Sequence, residues 1–187
     1  MKIVKDKYVL FGSFPQKGEE REPIKWRILK REGDVLTLIC DVILTAMRYD
    51  NEYAFYHRSE IRRYINEEFI PFAFTEEEQA IILPTVLPDA EVCDKVYLPT
   101  YDDAIAIPRD ERRRKTTAYA VAHEASSYKD RTRLNKCGWW WTRTDFMPPY
   151  GTGSHRHVHY VEYNGSVGET AVWSYDIGFV PMMRIKV

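Results

Sequence analysis

The chain has 187 residues, of which 44% are hydrophobic and 29% charged, with a formal net charge of −1. That balance excludes an intrinsically disordered chain, and no run of about 18 apolar residues is present to form a typical transmembrane helix. One domain spanning 1–187 is expected, with enough chain to bury a sizeable core.

Charges at Lys2, Lys5, Asp6 and Lys7 interrupt the N-terminal residues before an apolar core of signal-peptide length develops, so a cytoplasmic location is expected. Tyr8, Val9, Leu10 and Phe11 read as a short strand stopped by Gly12 and Pro15. Residues 24–29 alternate apolar and polar as a half-buried strand does, and Glu32-Gly33-Asp34 reads as a hairpin turn into a branched, buried strand over 35–40. Helices are predicted next. Ser59 is suited to cap one whose apolar face carries Ile61, Tyr64, Ile65 and Phe69, with Pro71 ending or interrupting it. Thr75 and Glu78 have capping-box spacing for a second helix, buried through Ala80, Ile81, Ile82 and Leu83 and stopped by Pro84. After a strand-like stretch over 95–98, Thr100 and Asp103 predict a short helix ending before Pro108, and the Ala-rich residues 117–125 predict a fourth. Strands return at 139–142, where Trp140 should face opposite to Trp139 and Trp141. Asn164-Gly165 reads as a type I′ turn joining roughly 157–163 to 167–173. A last strand near 179–187 is expected to pair with the first strands. Strands, then helices, then strands imply an α+β fold whose terminal strands form a mixed or antiparallel sheet with helices in the middle of the chain.

Charge is unevenly distributed. Residues 50–103 carry 13 acidic and 4 basic side chains, and residues 109–136 carry 9 basic and 4 acidic ones. The block Arg112-Arg113-Arg114-Lys115 suits a solvated loop; the alternative is a polyanion binder. No recognised reading motif accompanies it, so nucleic acid is not an expected partner, nor is a membrane. Cys40, Cys93 and Cys137 lack CxxC spacing and read as small buried apolar side chains in a reducing compartment.

Several blocks resemble the bacterial domain-of-unknown-function family 6273. They are Phe11 to Gln16 with Pro23 to Leu29, then Ile61, Arg62, Tyr64, Ile65 and Asn66 with Phe69, Ala73-Phe74 and Thr75 to Glu78. Asp94 to Pro99, Trp140 to Thr144, Gly165-Ser166-Val167 and Gly178 to Met182 continue the series in order. The Trp-Trp strand, Gly turn and final Gly-x-x-Pro strand also resemble C-type-lectin-like domains, including those related to formylglycine-generating enzymes. The second resemblance implies a C-type-lectin-like outline and no activity. The enzymes' cysteine pair is missing, since only Cys137 stands near the C-terminus, and the lectins' Trp-Asn-Asp triplet is replaced by Thr142-Arg143 after the tryptophans.

Three sets of residues are candidates for chemistry. His155, His157 and His159 alternate on a predicted strand, where imidazoles on one face sit about 7 Å apart. Two of them would share a zinc ion if His123, Cys137, Asp145, Glu162 or the third histidine closed the tetrahedron. Aromatic side chains Trp139, Trp141, Tyr160 and Trp173, with Tyr163 and Tyr175, suit either core packing or a platform for a sugar or flat ligand. Arg143 and Arg156 offer guanidinium groups to an anionic ligand. Together these suggest a non-catalytic binding module for a partner protein or small polar ligand, carbohydrate included, requiring no cofactor. Recognition is expected on the irregular segment 146–154 and the adjoining strand face. The alternative is a metal-dependent hydrolase built on the three histidines, with zinc as its metal.

Overall fold

The computed structural model describes residues 2–4, 7–146 and 155–187. Alternating side chains drive the opening third into an antiparallel meander of β1 (Lys2–Val4), β2 (Tyr8–Pro15), β3 (Arg21–Glu32) and β4 (Val35–Cys40). Val9, Phe11, Ile24, Trp26, Leu36 and Leu38 point to the core. Gly12 does not stop the strand as predicted. At φ 65° it forms a bulge, the register shifts between Leu10 and Ser13, and β2 continues to Pro15.

The predicted Thr75–Glu78 capping box forms. Thr75 Oγ1 accepts from the Glu78 amide at 3.2 Å, and Glu78 Oε2 accepts from the Thr75 amide at 3.1 Å. The other Glu78 oxygen accepts from the Gly12 amide at 3.1 Å, so a single carboxylate both starts a helix and satisfies the bulge. That helix spans only Glu76–Ile81 and buries none of its own residues. Ile82–Leu83 leave it as strand β5, because Pro84 favours extended backbone before it and the last strand offers an open ladder edge.

Ser59 caps the first helix, accepting from the Arg62 amide at 3.3 Å. Pro71 does not end this helix. It is α-helical over Glu60–Tyr64, π-helical over Ile65–Phe69 and α-helical again over Ile70–Ala73. The Ile70 amide donates to the Ile65 carbonyl, and this widened turn admits a proline that has no N–H to give. The short strand β6 is Val96–Tyr97; the Thr100–Asp103 capping box opens the helix Tyr101–Ala106; a short unpredicted helix follows at Arg109–Arg112, and the helix expected over 117–125 spans Ala118–Ala122.

In the last third, β7 (Trp140–Asp145), β8 (His157–Val161) and β9 (Val167–Ala171) form a separate antiparallel sheet. The final strand β10 (Met182–Lys186) pairs with β4, from Met182 opposite Ile39 to Lys186 opposite Val35, as expected of a returning terminus. Its other edge is shared by β5 and β6, giving the order β1-β2-β3-β4-β10-β5. The fold is α+β, dominated by antiparallel strands, with a parallel pair where Lys115–Thr116 lies beside Val42–Ile43. The two larger sheets meet at Gly178, whose amide donates to the Trp139 carbonyl at 2.7 Å and whose carbonyl accepts from the Trp141 amide at 3.0 Å. One hydrophobic cluster runs through both. No helix among the described residues is long and apolar enough to cross a membrane.

The turn between β8 and β9 corrects the type I′ prediction. The Gly165 amide donates to the Glu162 carbonyl at 2.8 Å, and the Glu162 amide donates to the Ser166 carbonyl at 2.8 Å. The loop is therefore three residues, Tyr163, Asn164 and Gly165, with positive φ (84°) at Gly165 and not at Asn164. Asn164 instead accepts from the Ser166 amide through its side chain at 2.7 Å. This local bond favours the three-residue loop over the two-residue one.

Candidate functional site

The Trp139 to Trp141 run does not form a binding platform. Trp140 and Trp141 are fully buried because both faces of β7 are covered. Trp141 donates its indole N–H to the Met47 carbonyl at 2.9 Å and packs against Tyr49 at 5.7 Å. Trp140 lies beneath the Arg114 guanidinium and donates to the Arg112 carbonyl at 3.2 Å. Trp139 is half-buried against Tyr163, which stacks on Tyr128. Tyr160 is half-buried opposite Gly168, while Trp173, Tyr175 and Arg156 are exposed. The aromatic set therefore divides between core, hairpin packing and separate surface positions.

The arginines of the basic block turn their donors onto backbone carbonyls, while Lys115 at its end is exposed. Arg112 donates to the carbonyls of Ile107, Ile105 and Gly165, and Arg113 donates to that of Asn164 at 3.1 Å. Arg114 is fully buried, donating to the Cys40 carbonyl at 2.9 Å and to the Glu111 carbonyl. Burial pulls its pKa down to about 10. These side chains fasten the segment to the β8–β9 hairpin tip and the end of β4.

A cleft of about 430 Å³ opens instead at the far end of β7, where Arg143, Thr144 and Asp145 meet the start of the Tyr101–Ala106 helix, Phe55 and Asp89. Capping places the helix: Thr100 and Asp103 fix its first turn, and the Tyr101 amide donates to Thr144 Oγ1 at 2.9 Å. Arg143 is buried and fully engaged. Its Nε and Nη2 donate to Asp89 at 2.8 and 2.9 Å, Nη1 donates to the Leu98 carbonyl, and the guanidinium lies 5.5 Å from the Tyr97 ring. Burial disfavours the Arg143 cation, but Asp89 outweighs it and holds the pKa above the ordinary arginine value. Burial also raises Asp89, and the Arg143 hydrogen bonds reverse this, leaving the carboxyl below its usual range. Tyr56 stays a neutral phenol, since burial pushes its pKa well up, and its oxygen accepts from the Leu98 amide at 3.2 Å.

Rings form the rest of the wall. His159 lies between Tyr101 (4.7 Å) and Phe146 (5.1 Å), while His155 packs on Phe55 at 4.6 Å and hydrogen-bonds Asp145 Oδ2 through Nδ1. Asp145 Oδ1 is buried and has no hydrogen-bond partner among the described residues. The three histidines do not converge. His157 and His159 sit on β8 opposite Ala171 and Glu169, and His155 precedes the strand on its own carboxylate. His123 stacks on Tyr119 and Glu162 bonds Ser166, away from them. Among the described residues no group of three or more His, Cys, Asp or Glu side chains is placed to hold a metal ion.

Of the ligand and metal candidates read from the sequence, Arg143 and His159 line the cleft. The recognition segment expected at 146–154 lies outside the described residues from 147 onward, but Phe146 and His155 on either side of it pack at the cleft wall. Phe55, Asp89, Tyr101 and Asp102 were missed. The Thr100–Asp103 capping box marks the Tyr101 position in the sequence. Nothing local marks Phe55 or Asp89, which the fold brings in from distant loops.

No curated protein and no solved structure matches this chain. The opening blocks used for the resemblance, Phe11 to Gln16 and Pro23 to Leu29, precede the stretch in which a family match is found. Residues 33–187, which contain the whole cleft, match the model of the domain of unknown function DUF6273, and the chain belongs to that family.

Proposed function

We propose that this domain is a non-catalytic binding module whose cleft takes a small polar ligand. The observation that carries this reading is a wall set in place before any ligand arrives. Arg143, Asp89, Thr144 and the Tyr101 backbone are locked by mutual hydrogen bonds around a concave space faced by aromatic rings. Such a surface orders few side chains on binding. No hydroxyl or thiol nucleophile is hydrogen-bonded to a histidine ring among the described residues, so hydrolysis finds less support than binding. The metal-dependent hydrolase is weaker because His155 is held on Asp145 and Phe55 and His159 lies between Tyr101 and Phe146. The C-type-lectin-like outline belongs to this reading, supported by the return of β10 beside β4 and by a second sheet that carries the site. So does a cytoplasmic setting, supported by three free cysteines, one of them the exposed Cys93.

The test is an NMR titration of the full chain with methyl glycosides, amino acids and small amines, following the amides of Tyr101, Thr144 and Asp145. Saturable shifts confined to these amides, lost in Tyr101→Ala, are the expected result. No shift with any member of the set overturns the reading. One zinc per chain in protein purified without chelator, lost in His157→Ala, would restore the hydrolase.

A further inference from the structure

Resting on the binding-module reading, we propose that the cleft takes an organic cation: a primary ammonium or guanidinium group carried on a short apolar stem. Three independent features select this class. The first is charge. Among the described residues the lining carboxylates are Asp89, Asp102 and Asp145, whereas the lining side chains include Arg143 and no other arginine or lysine. Arg143 matches Asp89 with two hydrogen bonds and gives its remaining nitrogen to the Leu98 carbonyl, so it has nothing left for a ligand anion. Asp102 is exposed and makes no ion pair among the described residues. Asp145 gives one oxygen to His155, and its other oxygen accepts nothing among the described residues. A cationic ligand would offset the Asp102 and Asp145 charges together. A neutral sugar would leave both charges uncompensated while displacing their water, and an anion would be repelled.

The second feature is the wall itself. Phe55 and Tyr101 line it, and aromatic rings attract cations through their negative quadrupole. Phe55 already binds one: the Arg58 guanidinium lies 4.7 Å from its ring centre. The third is long-range. The segment 50–103, which supplies Phe55, Asp89, Tyr101 and Asp102, holds 13 acidic against 4 basic side chains, a field that draws cations toward the opening. The space of about 430 Å³ admits a charged head and a short stem.

The experiment titrates the full chain with n-butylammonium, n-butylguanidinium, butan-1-ol and butyrate at matched ionic strength, with amide shifts as readout. One or both cations should shift Tyr101, Thr144 and Asp145, the relative size of the two responses assigning the head group, while butan-1-ol and butyrate leave them unmoved. Asp102→Asn lies on an exposed first turn and retains the fold; it and Asp145→Asn should each weaken cation binding roughly tenfold. Binding of butan-1-ol or butyrate as tight as that of the cations overturns the proposal, and so does an absence of shifts with both cations. If methyl glycosides move the same amides while the cations do not, the cation assignment fails and the binding-module reading stands. If none of these compounds moves them, both fail.

Discussion

Arginines, aromatic rings and backbone carbonyls build two regions of this molecule to opposite ends. At the hairpin side, Arg112, Arg113 and Arg114 direct their donors to carbonyls of Ile107, Gly165, Asn164 and Cys40, and Trp140 is sealed beneath them. At the cleft side, Arg143 is held as firmly by Asp89, yet the rings of Phe55 and Tyr101 and the carboxylates Asp102 and Asp145 still face open space. The difference teaches that a basic cluster is no guide to a binding surface. What matters is whether its partners are internal, and here the partners of the basic block are.

If the hairpin side is structural and the cleft side is for recognition, substitutions at the first should lower stability and those at the second should lower binding alone. The largest effect is expected for Arg114→Ala, which leaves a cavity over Trp140 and removes the donor to the Cys40, Glu111 and Arg113 carbonyls; urea denaturation should show a loss of about 3 kcal/mol. A variant as stable as the parent would break the comparison at its firmest point. Gly165→Ala follows. Its φ of 84° disfavours a side chain, and an added Cβ would stand 2.2 Å from the Arg109 carbonyl oxygen, so a loss of about 2 kcal/mol is expected from the urea midpoint. Glu78→Ala removes the capping box and leaves the Gly12 amide unpaired, for about 1 kcal/mol by thermal melting. Tyr101→Ala should change the melting temperature little and abolish ligand shifts at the cleft. Equal losses of stability from Tyr101→Ala and Gly165→Ala would erase the distinction between the two sides.

The smallest effect is a pH dependence. Asp89 has a carboxyl held below its unfolded value by Arg143, so its contribution is present above the unfolded carboxyl pKa and fades as pH falls through the lower folded one. The Asp89 side chain is 42% exposed, so screening keeps the contribution below about 1 kcal/mol. Acid denaturation of Asp89→Asn should lack that part of the acid limb, and an unchanged profile would remove the Asp89–Arg143 pair as the fastening of the cleft.

Features that depend on a few adjacent residues were legible. The capping residues Ser59, Thr75 and Thr100 act as the sequence predicts, since the acceptor and the amide it satisfies lie three residues apart. The strand at 35–40 and the returning final strand were equally clear from their apolar runs. Features that depend on a distant partner were misread. Ile82 and Leu83 continue a helical pattern until β10 offers them a ladder, whereas Pro71, expected to end or interrupt its helix, follows a π-helical interruption without ending it. The Asn164-Gly165 pair favours a two-residue turn in isolation, but the Ser166 contact to Asn164 and the close approach of Arg109 select a three-residue loop. Within the cleft, Arg143 and His159 were found from their types, and Phe55 and Asp89 were not, because nothing near them in the chain carries the signal.

By itself, then, the sequence determined the caps, the main strands, the α+β class and the family resemblance, because each rests on local hydrogen bonding or on the period of apolar residues. Tertiary structure alone decided which charges are internal and which face a ligand, because a guanidinium or carboxylate has the same local sequence pattern whether its partner is a carbonyl seventy residues away or open space.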